Sequence, residues 1–376
     1  MPQVAHLTTL SGYVHHRLTG RRVLGIGDAS GMFPILDGDY DADRLAAYDG
    51  LLAEHGLTGS LRDLLPTVLT AGADAGILTE DGARLLDPTG RLQPGAPLCP
   101  PEGDAGTGMV ATNAITPRTG NVSAGTSIFA MVVLEEPLAA AHPEIDVVTT
   151  PVGDPVAMVH CNNGASEIDA WAGVFGELAR AVGSPAGAAE IFSALFTATA
   201  SAAPDAGGVT AYNYLAGEPI TRVEDGRPLV VRTPDSALTL GNLVRAQLYG
   251  VFANLRLGMD VLAREGVRID GLLAHGGLFT TPGVAQSALA AALQVPVTVG
   301  QSAAEGGAWG MALLADHRVR GQGRPLAEHL AQEVFVGAET STVEPDPVLV
   351  AGYDRYLQRF VAGLPAVRAA AGLGAS

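Results

Sequence analysis

The chain has 376 residues, of which 47% are hydrophobic, so it is long and apolar enough to form two domains with sizeable cores. Its formal net charge of −17 argues against nucleic acid as a partner, because no basic stripe is present to neutralise phosphates. The sequence contains no lysine, which excludes a Walker A phosphate loop and any Schiff-base or pyridoxal-phosphate lysine.

The cysteine content indicates a reduced environment. Cys99 and Cys161 are too few for a disulfide framework or a zinc cage. No window approaches the roughly 18 consecutive apolar residues of a membrane span, and the N-terminus lacks the charged start and apolar run of a signal peptide. We therefore expect a cytoplasmic protein that has no membrane partner.

The first hundred residues combine turns with one clear helix. Asp28, within the segment 27–31, is predicted to be a turn residue or, alternatively, to line a cleft. Residues 40–56 predict a helix that Gly56 ends. A proline-rich connector, residues 94–101, then leads directly to Asp104.

Asp104 and the Gly125-Thr126 turn each have two interpretations. Asp104 follows a glycine and precedes a predicted helix over 105–115, so it could cap that helix or act as a proton acceptor. Residues 119–134 predict a β-hairpin with Gly125 and Thr126 at its tip. This tip could be an ordinary turn, or its backbone amides and hydroxyl could face phosphate oxygens.

The second half of the chain alternates helices and strands. A 3.6-residue apolar period predicts a long helix over 238–265, followed by a short buried strand over 269–274. The Gly276-Gly277 turn comes next, and Thr281 is predicted to cap a helix with Pro282 at its first position. Glycines at this point mark tight strand-to-helix packing or a ligand site at the carboxyl end of a strand.

A further strand over 295–299 and a capping box over 302–305 lead to another helix. The order of helix, strand, turn, helix, strand and helix predicts α/β architecture.

The order and spacing of these segments resemble the FGGY family of carbohydrate kinases. Four segments carry the resemblance: Gly103-Asp104-Ala105-Gly106, the Gly125-Thr126 hairpin, Gly276-Gly277, and the run EGGAWGMALLA over 305–315. The segment 27–32 and the long helix over 238–265 also correspond to parts of that family. The resemblance extends from about residue 5 to residue 318.

The resemblance implies an actin-like, ribonuclease-H-like fold in which two domains close over a cleft. It implies ATP- and Mg²⁺-dependent phosphorylation of a sugar hydroxyl, with Asp104 as the general base and a ketopentose or related carbohydrate as the substrate. It also implies a set of nucleotide-binding positions. Gly125 and Thr126 would form a phosphate loop, and the residues bordering the adenosine would be Gly276, Gly277, Leu278 and Thr281.

One expected motif is missing. Family members begin with an Asp-x-Gly-Thr hairpin, and neither Asp37-Gly38 nor Asp49-Gly50 has its spacing or its β-prone flanks. We therefore expect an N-terminally shortened chain whose first domain is incomplete. Residues 1–118 would be the remainder of an N-terminal sugar-binding domain, and residues 119–376 would be the C-terminal nucleotide-binding domain.

A shortened chain leaves two alternatives open. The first is an active sugar kinase that pairs with another copy or with a complementing N-terminal segment. The second is a non-catalytic nucleotide-binding or interaction module that lacks the first phosphate loop.

Overall fold

The first part of the chain forms a small α/β unit. The computed structural model describes residues 4–300 and 306–373. The elements before residue 112 are α1 (Leu10–Thr19), β1 (Val23–Gly25), α2 (Ile26–Met32), β2 (Ile35–Leu36), β3 (Asp39–Tyr40), α3 (Ala42–Glu54), α4 (Leu61–Leu64), β4 (Thr67–Leu69), α5 (Glu80–Leu86) and α6 (Asp104–Ala111). Strands β1 and β4 pair in parallel, and β2 and β3 form a short antiparallel pair.

The second part contains most of the strands and the longest helices. Its strands are β5 (Thr119–Ala124), β6 (Ile128–Val133), β7 (Asp146–Thr149), β8 (Pro155–Cys161), β9 (Thr210–Tyr212), β10 (Leu229–Val231), β11 (Gly271–His275), β12 (Val297–Gly300) and β13 (Thr340–Val343). Its helices are α7 (Ser166–Ala181), α8 (Ala188–Ala198), α9 (Leu240–Arg264), α10 (Val284–Leu293), α11 (Gly306–Arg320), α12 (Leu326–His329) and α13 (Pro347–Ala371).

Seven strands form one mixed sheet in the order β13-β12-β11-β5-β6-β8-β7. Strands β5, β11 and β12 run parallel, whereas β6, β8, β7 and β13 pair antiparallel with their neighbours. In the parallel register between β11 and β5, His275 lies opposite Ser123. The mixed sheet, covered by helices, confirms the expected α/β class.

The two faces of this sheet pack into different cores, because side chains alternate along each strand. One face, which includes Val122 and Val132, joins the large core that contains α9 and α10. The opposite face, which includes Met131, packs against Met109 of α6 and Leu313 of α11. The sheet is therefore the middle of three layers, and α6 and α11 lie together on one side of it.

Several predicted elements are confirmed. The long helix α9 spans Leu240–Arg264, and the Thr239 side chain caps it by accepting a hydrogen bond from the Asn242 amide. The predicted hairpin is the β5–β6 pair. Among the described residues, no helix combines the length and the apolar character that crossing a bilayer requires.

Three local predictions are wrong. Helix α6 begins at Asp104 itself, with Gly103 as its cap, so Asp104 does not cap it. Helix α10 begins at Val284 after a cap at Gly283, whose φ of +78° suits glycine, so Thr281 is not its cap. Asp28 lies in the first turn of α2 rather than in a loop. The predicted capping box over 302–305 lies outside the described residues.

Candidate active site

The candidate site lies where two parallel strands end. Strand β5 ends at Ala124 and β11 ends at His275, and each runs directly into a glycine-containing turn. Ligands of open α/β sheets bind beyond the carboxyl ends of the strands, so this edge is where a site is expected. Three cavities open here, and the predicted site residues line them.

Close backbone packing fixes the hairpin tip. The Gly164 amide donates to the Thr126 carbonyl over 2.8 Å, and the Ala165 amide donates to the Gly125 carbonyl over the same distance. A Cβ on Gly164 would collide with the Gly125 carbonyl oxygen, so this approach requires glycine. These two hydrogen bonds fix the main chain of the tip. The Thr126 hydroxyl has no hydrogen-bond partner within the described residues.

The first cavity, which we call the hairpin cavity, has a volume of about 570 Å³. Five of the predicted nucleotide-binding residues line it: Gly125, Thr126, Gly277, Leu278 and Thr281. Its remaining wall is largely apolar and comes from α7, α8 and the segment before α10, through residues that include Ile168, Phe192, Phe196 and Pro282. An apolar slot beside a glycine turn can hold an aromatic base.

The second cavity, which we call the central cavity, has a volume of about 600 Å³ and shares Gly277 and Thr280 with the hairpin cavity. Asp104 and Gly276 line it. The structure therefore places the predicted base and the predicted glycine turn around one space. Every one of the seven predicted site residues lines at least one of these two cavities.

The third cavity, which we call the N-terminal cavity, has a volume of about 1030 Å³. Its lining comes from α1, the connector before α6, and α11. Asp104 lines both this cavity and the central cavity. The Asp104 carboxylate lies in the first turn of α6 and has no hydrogen-bond partner within the described residues.

Sequence reasoning missed Glu102, a buried carboxyl group two residues before Asp104. Glu102 is 7% exposed and accepts hydrogen bonds from the amides of Gly27, over 3.1 Å, and Asp28, over 2.8 Å. Burial raises its pKa to about 8, against the lowering effect of these two amides. Glu102 therefore caps α2 from a distant part of the chain and fixes the position of Asp28.

Asp28 belongs to the N-terminal cavity, as the less favoured of its two interpretations proposed. Its carboxylate accepts hydrogen bonds from the Thr9 hydroxyl, over 2.7 Å, and from the Ser11 hydroxyl. Because Thr9 and Ser11 lie at the start of α1, these bonds tie α1 to α2. The cavity thus has a polar corner formed by two hydroxyls and the carboxylate of Asp28.

Three further polar side chains of the central cavity were also missed. Asn121 and Ser123 of β5 alternate with apolar residues and so lie on the same face of the sheet, and His275 lies opposite Ser123. Burial lowers the pKa of His275. Strand alternation in the hairpin was the signal that could have identified Asn121 and Ser123, because it places two polar residues on one face.

The described residues hold no group of three or more histidine, cysteine, aspartate or glutamate side chains placed to bind a metal ion. The two cysteines are buried and unpaired, and burial raises the pKa of both thiols. Neither side chain has the low pKa of a reactive thiolate.

Comparison with known proteins gives one family and a consistent set of folds. The sequence model of the FGGY family of carbohydrate kinases, C-terminal domain, matches residues 120–319. A search of curated protein sequences finds no match. Solved structures with the same fold include a xylulose kinase from Rhodospirillum rubrum, which is 22% identical with a TM-score of 0.76; the alignment covers 98% of this chain and 69% of that one.

Two other structures extend the comparison. A kinase from Brucella ovis, described as a xyloylose kinase, is 22% identical with a TM-score of 0.74, over 98% of this chain and 70% of that one. A glycerol kinase from Plasmodium falciparum with ADP is 13% identical with a TM-score of 0.71, over 96% and 66%. The shared architecture confirms the expected actin-like, ribonuclease-H-like fold.

Proposed function

Because the chain belongs to the FGGY family of carbohydrate kinases, we propose that it transfers a phosphoryl group from ATP to a hydroxyl of a ketopentose or related sugar, with Asp104 as the general base. The observation that carries this proposal is that Asp104 lines both the central cavity and the N-terminal cavity. A base in phosphoryl transfer must contact the acceptor hydroxyl on one side and face the phosphate on the other.

The state of the Asp104 side chain supports this role. A base needs a carboxylate oxygen that is free to accept a proton. No described residue donates a hydrogen bond to the Asp104 carboxylate. Since Gly103 caps α6 with its main chain, Asp104 is not needed as the cap. Its side chain is therefore available to the two cavities.

The nucleotide would extend from the hairpin cavity into the central cavity. Leu278 and Thr281 would border the adenosine in the hairpin cavity, beside the apolar wall. The phosphates would then pass Gly125 and Thr126, where a free hydroxyl and a fixed turn face the cavity. Gly277 lines both spaces and would let the phosphate chain approach the backbone closely.

The resemblance implies that Gly276 borders the adenosine, but Gly276 lines the central cavity and not the hairpin cavity, so we propose a phosphate contact for it instead. Kinases of this family use ATP, generally with Mg²⁺. Mg²⁺ in such sites keeps several waters and is held mainly by substrate phosphates and one or two carboxylates. Such an ion would be held mainly by the substrate phosphates and its waters, and it would neutralise phosphate charge.

The N-terminal cavity would bind the sugar. The described residues of its lining include Asp28, Glu102 and Asp104 and no arginine, and Glu102, whose pKa is raised to about 8, adds no charge near pH 7. An uncharged polyol can donate hydrogen bonds to carboxylates, whereas a sugar acid or sugar phosphate would be repelled. This supports a neutral sugar such as a ketopentose as the acceptor.

We assign the two activities to two parts of the chain. Residues 1–118 would supply the sugar-binding domain, because α1 and the connector before α6 provide much of the N-terminal cavity. Residues 119–376 would supply the nucleotide-binding domain, because all seven strands of the large sheet lie within them.

The test is ATP turnover measured by coupled ADP release, with a panel of ketopentoses, other ketoses and polyols. We expect sugar-dependent turnover that falls by about 10²–10⁴-fold in Asp104→Asn, because the amide cannot take the proton. A matched control is Asp43→Asn, in an exposed acidic residue of α3 that lines none of the three cavities.

The results separate three outcomes. If Asp104→Asn kept the sugar-dependent ATP turnover of the wild type, Asp104 would not be the general base. Binding of ADP with no turnover on any sugar would favour the alternative of a non-catalytic nucleotide-binding module. Failure to bind ADP at millimolar concentration would remove the nucleotide site itself.

A further inference from the structure

We propose that Asn121 and His275 bind the phosphoryl group as it moves from ATP to the acceptor. The inference rests on the proposed function and adds two residues that contact the reacting group. It starts from two polar side chains on neighbouring strands, the buried Asn121 and the half-buried His275, whose buried polar atoms lack hydrogen-bond partners within the described residues. Both line the central cavity, which lies between Asp104 and the Gly276-Gly277 turn.

Asn121 is the clearer of the two cases. Its side chain is almost fully buried, at 1% exposure, and neither its amide nitrogen nor its oxygen has a hydrogen-bond partner within the described residues. A buried amide that stays unpaired destabilises a fold, so an unpaired one that lines a cavity points to a ligand.

The direction of the Asn121 amide is also informative. A Cβ on Gly108 would lie 3.6 Å from Asn121 Nδ2, so the amide nitrogen points at α6. Gly108 lies one helical turn after Asp104, on the same side of α6. Because Gly108 has no side chain, the buried amide of Asn121 packs against the main chain of α6, one turn from Asp104.

His275 approaches the same space from the adjacent strand. It ends β11, and its Nε2 atom is buried with no hydrogen-bond partner within the described residues. Since burial lowers the pKa of His275, the imidazole is neutral near pH 7 and can still donate from one nitrogen. Asn121 and His275 thus offer an amide and an imidazole donor to the central cavity.

Charge explains why a phosphoryl group suits this pair. Among the described residues, no arginine lines the central cavity, so the side chains there that can contact phosphoryl oxygens are neutral donors. In the transfer, a bond forms between the sugar oxygen and the γ-phosphorus, and the bond to the ADP oxygen breaks. The hydroxyl proton moves to Asp104, and Asn121 and His275 donate hydrogen bonds to the non-bridging oxygens.

The test compares two nucleotides that differ by the γ-phosphate, the non-hydrolysable analogue AMP-PNP and ADP, each with Mg²⁺, by calorimetry. We expect Asn121→Ala and His275→Phe each to weaken AMP-PNP binding about tenfold, the loss typical of one hydrogen bond to a charged group, with ADP affinity unchanged. His275→Gln keeps a donor and should keep most of the AMP-PNP affinity.

Gln247 provides a matched control. It is a buried amide of α9 whose Oε1 also lacks a partner within the described part of the chain, and it lines none of the three cavities. Gln247→Ala should leave both affinities unchanged, and thermal melting identifies any variant that fails to fold.

The outcomes distinguish this inference from the proposed function. Unchanged AMP-PNP affinity in folded Asn121→Ala and His275→Phe, with ADP still bound, would overturn this inference alone. Equal losses for ADP and AMP-PNP would also overturn it, because they would place both residues away from the γ-phosphate. If the wild-type chain bound neither nucleotide, the proposed nucleotide site and this inference would both fall.

Discussion

Gly276 packs against the main chain of Ala124, and a Cβ on Gly276 would collide with the Ala124 carbonyl oxygen. Gly276 also has a φ of +109°, a conformation that residues with a side chain rarely adopt. The contact joins the end of β11 to the end of β5. It therefore sets the spacing between the two turns that line the hairpin and central cavities.

Gly276→Ala should lower the free energy of unfolding by about 1–3 kcal/mol, because both the φ angle and the contact oppose a side chain. Urea denaturation measures this loss. The matched control is Gly277→Ala, where a Cβ would meet no atom within 4 Å. We expect the control to fold normally and to weaken nucleotide binding, since Gly277 lines both cavities. Equal stability of the two variants would contradict the packing argument.

The hairpin cavity should be closed by a bulky side chain at its mouth. Ala189 is an exposed residue of α8 that lines this cavity, so Ala189→Trp should weaken ADP binding at least tenfold without reducing the melting temperature. Ala194→Trp, at an exposed position of the same helix outside the hairpin cavity, should leave ADP binding unchanged. If ADP bound equally to both variants, the adenosine would have to lie elsewhere.

Local patterns in the sequence predicted much of the fold. The 3.6-residue period over 238–265 identified α9, and alternating residues with a Gly-Thr tip identified the β5–β6 hairpin. These patterns involve residues that are close in the chain, so they can be recognised without knowledge of the tertiary structure. The glycine turns that line the cavities were found for the same reason.

The starts of two helices were not predictable from side-chain preferences. Aspartate and threonine are good caps, yet glycines cap α6 and α10 and leave Asp104 and Thr281 free to line cavities. Tertiary packing sets these starts. A residue type that commonly caps helices can therefore line a cavity instead, when a neighbouring glycine takes the cap position.

The most buried polar residues of the site could not be predicted, because their environment comes from distant parts of the chain. Glu102 accepts hydrogen bonds from amides that are 75 and 74 residues away. His275 reaches the same face as Asn121 only through the parallel register of β11 with β5. Sequence alone placed Asn121 in the predicted hairpin, but it could not bring these three residues together in the site.

The charge of the N-terminal cavity predicts a preference among acceptors. We expect kcat/KM for neutral ketoses to exceed that for the corresponding aldonates about tenfold, because one unpaired like-charge contact costs on the order of 1.4 kcal/mol. Asp28→Asn should lower the ratio of the two kcat/KM values and raise KM for the neutral sugar. The matched control is Asp63→Asn, because Asp63 lies in α4 outside the three cavities, and it should change neither quantity. A wild-type preference for an aldonate would contradict the assignment of this cavity.

Glu102 should make the stability of the protein depend on pH. Burial raises its pKa in the folded state to about 8, whereas an exposed glutamate titrates near 4.3. Between these values the folded chain holds a proton that the unfolded chain has lost. The stabilisation is therefore complete below about pH 4 and is lost as the pH rises towards 8, with a slope of up to about 1.4 kcal/mol per pH unit.

Glu102→Gln tests this directly, because the amide resembles the protonated carboxyl group and keeps an oxygen that can accept from Gly27 and Asp28. Urea denaturation at pH 5, 6, 7 and 8 should show wild type losing stability relative to the variant as the pH rises. Other carboxyl groups with raised pKa values, such as Glu218, are present in both proteins and cancel in the difference. Parallel pH profiles would mean that Glu102 is already ionised in the folded chain. In that case the two amide hydrogen bonds, rather than burial, would set its pKa.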